Sequence, residues 1–203
     1  SSLDRVVKAN VFLSDLAELP AFNQVWHRTF GPNVPATTYV QTSTPGFAIA
    51  DARMEINLVA AAADAKIDRV SAVDGVLPPC EGIPLAVKAG GLLFLSGLVA
   101  ADEGGVVAAA RRDVDAPYLS SPIEAQMTWL LDGAQRICRA AGTSLSNVVR
   151  LHQYHTELHD LLLACRQWQH ALGGQPLPIS AVRTPAMPVP GCTVQLDLWV
   201  YAP

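Results

Sequence analysis

The sequence has little of what marks membrane, secreted and nucleic-acid-binding proteins. Its longest apolar runs are far shorter than the roughly 20 residues that a helix needs to cross a bilayer. No basic segment followed by an apolar one is visible at its start. Only 16% of its 203 residues are charged, its 14 Lys and Arg are spread thinly, and the formal net charge is -4. We therefore expect no membrane and no nucleic acid among its partners.

Cysteine is scarce as well, and its spacing shows none of the usual zinc or redox motifs. The four cysteines are far apart and form no Cys-x-x-Cys pair: Cys80, Cys138, Cys165 and Cys192. Such scattered thiols are typical of a reducing compartment, so we expect a cytoplasmic protein. Half of the residues are apolar, which is enough for an ordinary globular core.

The two ends of the sequence resemble each other. When the sequence is shifted by 142 positions, residues 2–8 align with residues 144–150 without a gap, and after a further shift of two, residues 54–58 align with residues 194–198. A register kept through apolar, Trp and Gly positions predicts two copies of one structural unit.

Both copies show the same order of local patterns, a strand, a short amphipathic helix and two further strands. In the first copy the helix is predicted over Leu19–Phe30, and the strands over Val6–Phe12, Tyr39–Thr42 and Arg53–Val59. In the second copy the helix is predicted over Leu161–Leu172, and the last two strands over Ser180–Thr184 and Thr193–Val200.

The second copy has more in front of it. Leu85–Lys88 and Leu92–Ser96 predict a hairpin that turns at Gly90-Gly91, and Ile123–Ala141 predicts a long amphipathic helix that ends at Gly142. We therefore divide the chain into the C-terminal half of a first module (1–63), a linker (64–81) and a complete second module (82–203). We call the outer two the first copy and the second copy.

Several segments together resemble one known family. They are a Val-Val strand with a small lead-in, a Leu-x-Asp turn, a helix ending in Phe-Gly, a Gly-containing hairpin and a long helix ending in Ala-Gly, found at residues 2–8, 13–16, 30–31, 86–97 and 123–145. In these segments the chain is similar to the Rid family, the reactive intermediate deaminases, also called YjgF-like or L-PSP-like proteins. The resemblance implies an α+β, chorismate-mutase-like module with a mixed sheet and two helices on one face, here one half module plus one complete module.

The resemblance also implies a function and a state of assembly. Rid proteins associate as trimers, and their active sites lie in clefts between modules. Their usual reaction hydrolyses an enamine or imine of a small 2-amino acid to a 2-keto acid and ammonia, without a metal or organic cofactor. On this basis we expect a small-molecule ligand in an inter-module cleft, a trimer or pseudo-trimer, and no cofactor.

The residue that binds the substrate carboxylate in this family is an Arg directly after a Pro-Ala pair. Here Thr37 follows Pro35-Ala36, and Ile179 stands at the matching position of the second copy. The planar guanidinium binds a carboxylate through two hydrogen bonds, which a hydroxyl cannot reproduce. The deaminase reaction on ordinary 2-imino acids is therefore in question.

Other candidate site residues remain. Glu55 matches the family's water-orienting Glu and is the catalytic candidate, whereas the second copy has Gln195, which cannot act as a base. The substrate-binding candidates are Thr37, Thr38 and Tyr39 in the first copy and Arg183 and Gln195 in the second. Two alternatives stay open: Arg183 as a solvated edge residue, and Glu55 as a structural carboxylate paired with Arg53.

Two functions are compatible with these residues. One is a divergent deaminase-type hydrolase, and the other is a non-catalytic binding or assembly module, as in relatives such as diphthine–ammonia ligases and chorismatases. Because residue 1 aligns with residue 143, beyond the long helix of the second copy, we expect a second polypeptide to supply the front half of the first module.

Overall fold

The computed structural model describes residues 2–43, 47, 49–111, 115, 118 and 122–203. In this part of the chain the helices are α1 (Leu19–Phe30), α2 (Pro122–Ala140) and α3 (Leu161–Leu172). The strands are β1 (Val6–Leu13), β2 (Ala36–Gln41), β3 (Met54–Ala60), β4 (Ile67–Val70), β5 (Ala86–Ala89), β6 (Leu92–Leu95), β7 (Ala101–Asp102), β8 (Gly105–Val106), β9 (Val148–His155), β10 (Ile179–Arg183) and β11 (Val194–Tyr201).

The first copy forms a three-stranded sheet in the order β2-β1-β3. β1 runs parallel to β2 and antiparallel to β3. Strand β2 begins at Ala36, three residues earlier than the predicted Tyr39, because its pairing with β1 already starts at Lys8 opposite Ala36. The aromatic side of α1 covers one face of this sheet, with Trp26 and Phe30 each 6% exposed.

The second copy forms a six-stranded sheet in the order β10-β9-β11-β6-β5-β4. β9 and β10 are parallel, and the other neighbours are antiparallel. This confirms the predicted mixed sheet. The hairpin of β5 and β6 turns at Gly90-Gly91, where both residues have positive φ (58° and 78°), a region that glycine occupies without steric cost.

Helices α2 and α3 lie on the same face of the second sheet. The apolar stripe of α2 is fully buried, at Ile123, Met127, Leu130, Ala134 and Ile137, and packs in one cluster with Trp168 of α3 and Leu196 of β11. Because each helix has one apolar side, both bury it against the same sheet. The predicted arrangement of two helices on one face is confirmed.

The two copies share their strand registers. Ala9 lies opposite Thr37 in the first copy as Leu151 lies opposite Ile179 in the second. Asn10 of β1 lies opposite Asn57 of β3, and in the same way His152 of β9 lies opposite Asp197 of β11. Any residue of the first sheet therefore has an identifiable counterpart in the second.

The stretch 64–81 contains more than a connection. Its strand β4 pairs antiparallel with β5, with Ile67 opposite Ala89 and Val70 opposite Ala86, and so forms the outer edge of the second sheet. Four residues, two of them charged, are too few to show a period in the sequence, and charge is usual on an edge strand. The sheet of the second copy therefore begins before residue 82.

The sheet of the first copy packs against that of the second. Val7 and Ala36 of the first copy form one buried cluster with Val87, Ala89 and Phe94 of the second. As α1 covers the other side, β1 is buried on both faces along almost its whole length. We call the contact between the two sheets the inter-copy interface.

Candidate functional site

A buried ion pair lies at the centre of the inter-copy interface. Lys8 of β1 and Asp197 of β11 are both 0% exposed, and Lys8 Nζ lies 2.7 Å from Asp197 Oδ1. The ammonium donates two more hydrogen bonds of 2.7 Å, to Thr38 Oγ1 and to the carbonyl of Leu95. Three polar partners thus surround the ammonium, and a buried charge needs such partners.

Two further side chains stabilise the carboxylate of Asp197. Asn10 Nδ2 donates to Asp197 Oδ2 at 2.7 Å, and Arg150 Nη1 lies 3.4 Å from the same oxygen. Arg150 also donates to His152 Nδ1 at 2.9 Å, and its guanidinium lies 4.5 Å from the centre of the Trp199 ring. The carboxylate is therefore shared by a lysine and an asparagine of the first copy and an arginine of its own copy.

The pKa values of this group follow from burial and charge. Burial is the largest influence on Asp197 and by itself raises its pKa, but Lys8, Asn10 and Arg150 outweigh it, so the carboxyl titrates below its ordinary value. Burial lowers the pKa of Lys8, and Asp197 offsets part of that effect. Burial, followed by the charge of Arg150, lowers the pKa of His152, which favours the neutral ring.

The backbone closes the interface next to the ion pair. Thr37 N donates to Ser96 Oγ at 2.9 Å, and Gly97 N donates to Thr37 O at 3.1 Å. A Cβ on Gly97 would lie 2.6 Å from Gln195 Nε2 and 3.0 Å from Thr38 Cγ2. The loop after β6 thus approaches β2 so closely that residue 97 has no room for a side chain.

The substrate-binding candidates of the first copy do not come together. Thr38 reaches the interface and accepts from Lys8, whereas Tyr39 points to the α1 side, where its hydroxyl donates to Asn23 Oδ1 at 2.6 Å. The Thr37 hydroxyl donates to the carbonyl of Pro35 at 2.9 Å. All three candidates are 0% exposed.

The two candidates of the second copy lie in different environments. Gln195 is 1% exposed beside Gly97 and Thr38, and its Nε2 finds no hydrogen-bond partner among the described residues. The Arg183 side chain is 65% exposed, and its guanidinium bonds the carbonyl of Thr156 (3.1 Å) and the carboxylate of Glu157 (3.5 Å). Arg183 thus has the surroundings of a solvated edge residue.

Glu55 lies on the exposed strand β3. Its Oε1 accepts one hydrogen bond, of 3.1 Å, from Asn57 Nδ2. Arg53 forms its ion pair with Glu18 instead, so the structure does not show the pairing of Glu55 with Arg53. Strand alternation places Glu55 on the same face as Val59, which packs at the inter-copy interface. Glu55 is therefore a solvent-accessible carboxylate at the rim of that interface.

Solved structures from several organisms share the fold. The Rid-family protein YyfA from Yersinia pestis has a TM-score of 0.56 and 18% identity, over 67% of this chain and 99% of that one. A YjgF-family member from Mycobacterium tuberculosis has a TM-score of 0.51 and 23% identity, over 67% and 99%. At these identities the likeness is one of fold. Such a span is longer than the first copy, so it includes residues of the second.

Sequence matches cover the first copy. The family model described as Endoribonuclease L-PSP matches residues 1–62. Protein HMF1 of Saccharomyces cerevisiae is 38% identical over 64 residues, which are 32% of this chain and 47% of HMF1. In sequence the first copy is therefore similar to the Rid (L-PSP) family, and the chain shares the fold of its solved members. The chain spans about half the length of HMF1.

The resemblance assigns one position in each copy to the carboxylate-binding Arg of Rid proteins. In the first copy Thr37 holds it, buried, with its backbone and hydroxyl both hydrogen-bonded. In the second copy Ile179 holds it, at the start of β10 and partly buried against the helices. In neither copy does this position present a cation.

Sequence reasoning missed the buried polar residues at the centre of the inter-copy interface. Lys8, Asn10 and Asp197 are polar, yet each lies inside a mostly apolar strand. A charge in a strand buried on both faces needs a partner of opposite sign. That signal was present in the sequence, but not the identity of the partner.

Three further features complete the description. Among the described residues, no group of three or more His, Cys, Asp or Glu is placed to hold a metal ion. His155 of β9 is fully buried. Gln153, on the same face of β9, is hydrogen-bonded to Trp168 of α3. His152 contacts Arg150 at the inter-copy interface. No helix in the described ranges is long and apolar enough to span a membrane.

Proposed function

We propose that the inter-copy interface of this chain is a structural contact, and that the chain serves as a Rid-fold assembly module rather than as a deaminase of 2-imino acids. The observation that carries this proposal is the burial of its candidate binding residues. Thr37, Thr38 and Gln195 are 0%, 0% and 1% exposed, so a ligand reaches them only if the two copies separate.

The chemistry of the interface supports the same proposal. A 2-imino acid carries a carboxylate, which needs a cation with free donors. Lys8, the cation of the first copy at this place, is already paired with Asp197 and donates hydrogen bonds to Thr38 and Leu95. Binding a substrate carboxylate here would leave the buried Asp197 without its partner, which costs several kcal/mol.

A second candidate function rests on Glu55. The resemblance matches Glu55 to the Glu that orients water in Rid enzymes. Its carboxylate is solvent-accessible and accepts only one hydrogen bond that the structure describes. On this view the chain is a hydrolase of the enamine or imine type, and the predicted small-molecule ligand lies at the rim beside Glu55. The predicted trimer or pseudo-trimer is compatible with both candidates.

The name of the matching family model includes endoribonuclease, but charge argues against RNA as a substrate. The chain has 18 acidic and 14 basic residues. Binding of RNA phosphates depends on clustered cations, whereas Lys8 and Arg150 are engaged with Asp197.

Ammonia release from freshly generated 2-imino acids distinguishes the two candidates. We expect the chain to release no more ammonia than buffer alone, and Glu55→Gln to change nothing. Glu103→Gln, an exposed carboxylate in the β7–β8 turn, is the matched control. Turnover that Glu55→Gln abolishes and Glu103→Gln retains would establish the hydrolase and reject the assembly module.

Hydrogen exchange tests the structural contact directly. The Gly97 amide bonds Thr37 O across the two copies. If the contact is permanent, this amide exchanges only through global unfolding, as slowly as the amides of β9 and β11 in the core. Exchange of Gly97 much faster than that of the core would show a cleft that opens, and would contradict the proposal.

A further inference from the structure

We propose that strand β3 is a docking surface for a partner segment consisting of a β-hairpin followed by an amphipathic helix, with the same design as β5, β6 and α2. The surface comprises the free edge of β3, the side chains of Met54, Ile56 and Leu58, and Val25 of α1. It lies on the α1 side of the first sheet, away from the inter-copy interface. The proposal therefore does not depend on whether the rim beside Glu55 is catalytic.

The edge of β3 is the first observation. In the part of the chain that the structure describes, β3 pairs with β1 alone, at the end of the order β2-β1-β3. Its counterpart β11 is internal and pairs with β6, with Trp199, Val200 and Tyr201 opposite Phe94, Leu93 and Leu92. Edge strands are normally protected by Lys, Pro or a bulge, but Glu55 is the single charged residue of β3. The edge therefore accepts an added strand.

The apolar face of β3 is the second observation. Met54, Ile56 and Leu58 point to one side and are 46%, 37% and 47% exposed. Their counterparts in the second copy are all 0% exposed in the cluster that contains the stripe of α2: Val194, Leu196 and Leu198. The same strand face is thus apolar in both copies, but only the second copy has a helix over it.

The side of α1 gives the third observation. Val25 is 50% exposed, and its counterpart on α3 is Gln167. Gln167 meets α2 through Thr128 Oγ1 at 3.4 Å and Glu124 Oε1 at 3.5 Å. Val25 therefore stands where a neighbouring helix makes contact. The helix that docks on the first copy should present an apolar side chain to Val25, where α2 presents polar ones to Gln167.

These observations together select the occupant. A second copy of this chain paired edge to edge through β3 would fill the edge but leave Met54, Ile56 and Leu58 uncovered. A lone helix would cover those side chains and leave the edge unpaired. A hairpin followed by a helix does both, as β5, β6 and α2 do in the second copy.

A fused chain tests the proposal. A copy of residues 82–142 is joined ahead of residue 1, in the register of the repeat, and amide exchange of β3 is compared between the fused and the unfused chain. We expect the β3 amides that point away from β1 to exchange at least about tenfold more slowly in the fused chain. In the fused chain, Ile56→Glu should restore fast exchange. Val182→Glu, at a similarly exposed position of β10 (49%), should not.

Two results would overturn the proposal. One is equal exchange of β3 in the fused and unfused chains. The other is protection of β3 in the unfused chain that rises with protein concentration and is lost in Ile56→Glu, because that result assigns the surface to a second copy of the chain. Neither result bears on the ammonia assay, so this proposal and the proposed function can fail separately.

Discussion

Strands β3 and β11 occupy equivalent places in two copies of one unit, yet their surroundings differ. Leu196 of β11 is 0% exposed between a sheet and a helix, while its counterpart Ile56 of β3 is 37% exposed. The registers that hold the two strands to β1 and β9 are the same. The exposure of these side chains therefore depends on which elements pack over the strand, whereas the formation of the strand depends on its local sequence.

The parallel strands β2 and β10 show the opposite difference. Val40 of β2 is 6% exposed because the second copy covers it, whereas its counterpart Val182 of β10 is 49% exposed. Each copy thus buries one strand that the other leaves open. In the first copy the inter-copy interface covers β2. In the second copy α2 and β6 cover β11.

The largest expected effect comes from breaking the ion pair that joins the copies. Lys8→Met leaves the carboxylate of Asp197 buried without its ammonium, which should lower the free energy of unfolding by roughly 3–5 kcal/mol. Urea unfolding followed by fluorescence measures this loss. In the first copy, the counterpart of Asp197 is the exposed Asn57, and Asn57→Leu should change stability little.

Two variants serve as controls for that comparison. Lys66→Met removes an exposed ion pair with Asp68 and should have little effect, since surface pairs contribute little. Lys8→Met combined with Asp197→Leu removes both charges and should recover most of the loss. If the single and the double variants are equally destabilised, packing around Lys8 rather than its charge stabilises the interface.

The next effect compares the two equivalent strands directly. Leu196→Ala removes a buried side chain and should cost roughly 2–5 kcal/mol of unfolding free energy. Ile56→Ala, at the partly exposed counterpart, should cost about 1 kcal/mol or less. In the fused chain described above, the cost of Ile56→Ala should rise toward that of Leu196→Ala. Equal costs in the unfused chain would contradict the difference in burial.

The smallest effect is a pH dependence. The pKa of Asp197 in the folded state lies below its ordinary value of 3.8. Its stabilising contribution is therefore complete above that value and is lost as the pH falls through the lower, folded-state pKa. As the pH falls below 3.8, the thermal midpoint of the wild type should therefore fall more steeply than that of Asp197→Asn. Parallel curves would show that the carboxylate does not stabilise the fold.

The sequence predicted most elements to within one to three residues, since helices such as α2 and strands such as β11 show clear periods and end shortly before a Gly or Pro. It did not predict β4, whose four residues are too few for a pattern. Nor did it predict that Lys8 pairs with Asp197. Strand alternation shows which side chains share a face of one sheet, but not how the sheets of the two copies pack against each other. Among the candidate site residues, the exposed Glu55 and the sealed Gln195 have comparable sequence surroundings.

The charges at the centre of the interface also make it selective. Lys8 of the first copy meets Asp197 of the second, but the first copy has the neutral Asn57 where the second has Asp197. If two first copies packed together in this geometry, each Lys8 would face an asparagine and remain buried without a counterion, a loss comparable to removing one partner of the pair. Because of this mismatch, packing of two first copies is less stable than packing of a first copy with a second copy. The carboxylate of Asp197 therefore favours the pairing of a first copy with a second copy over the pairing of two first copies.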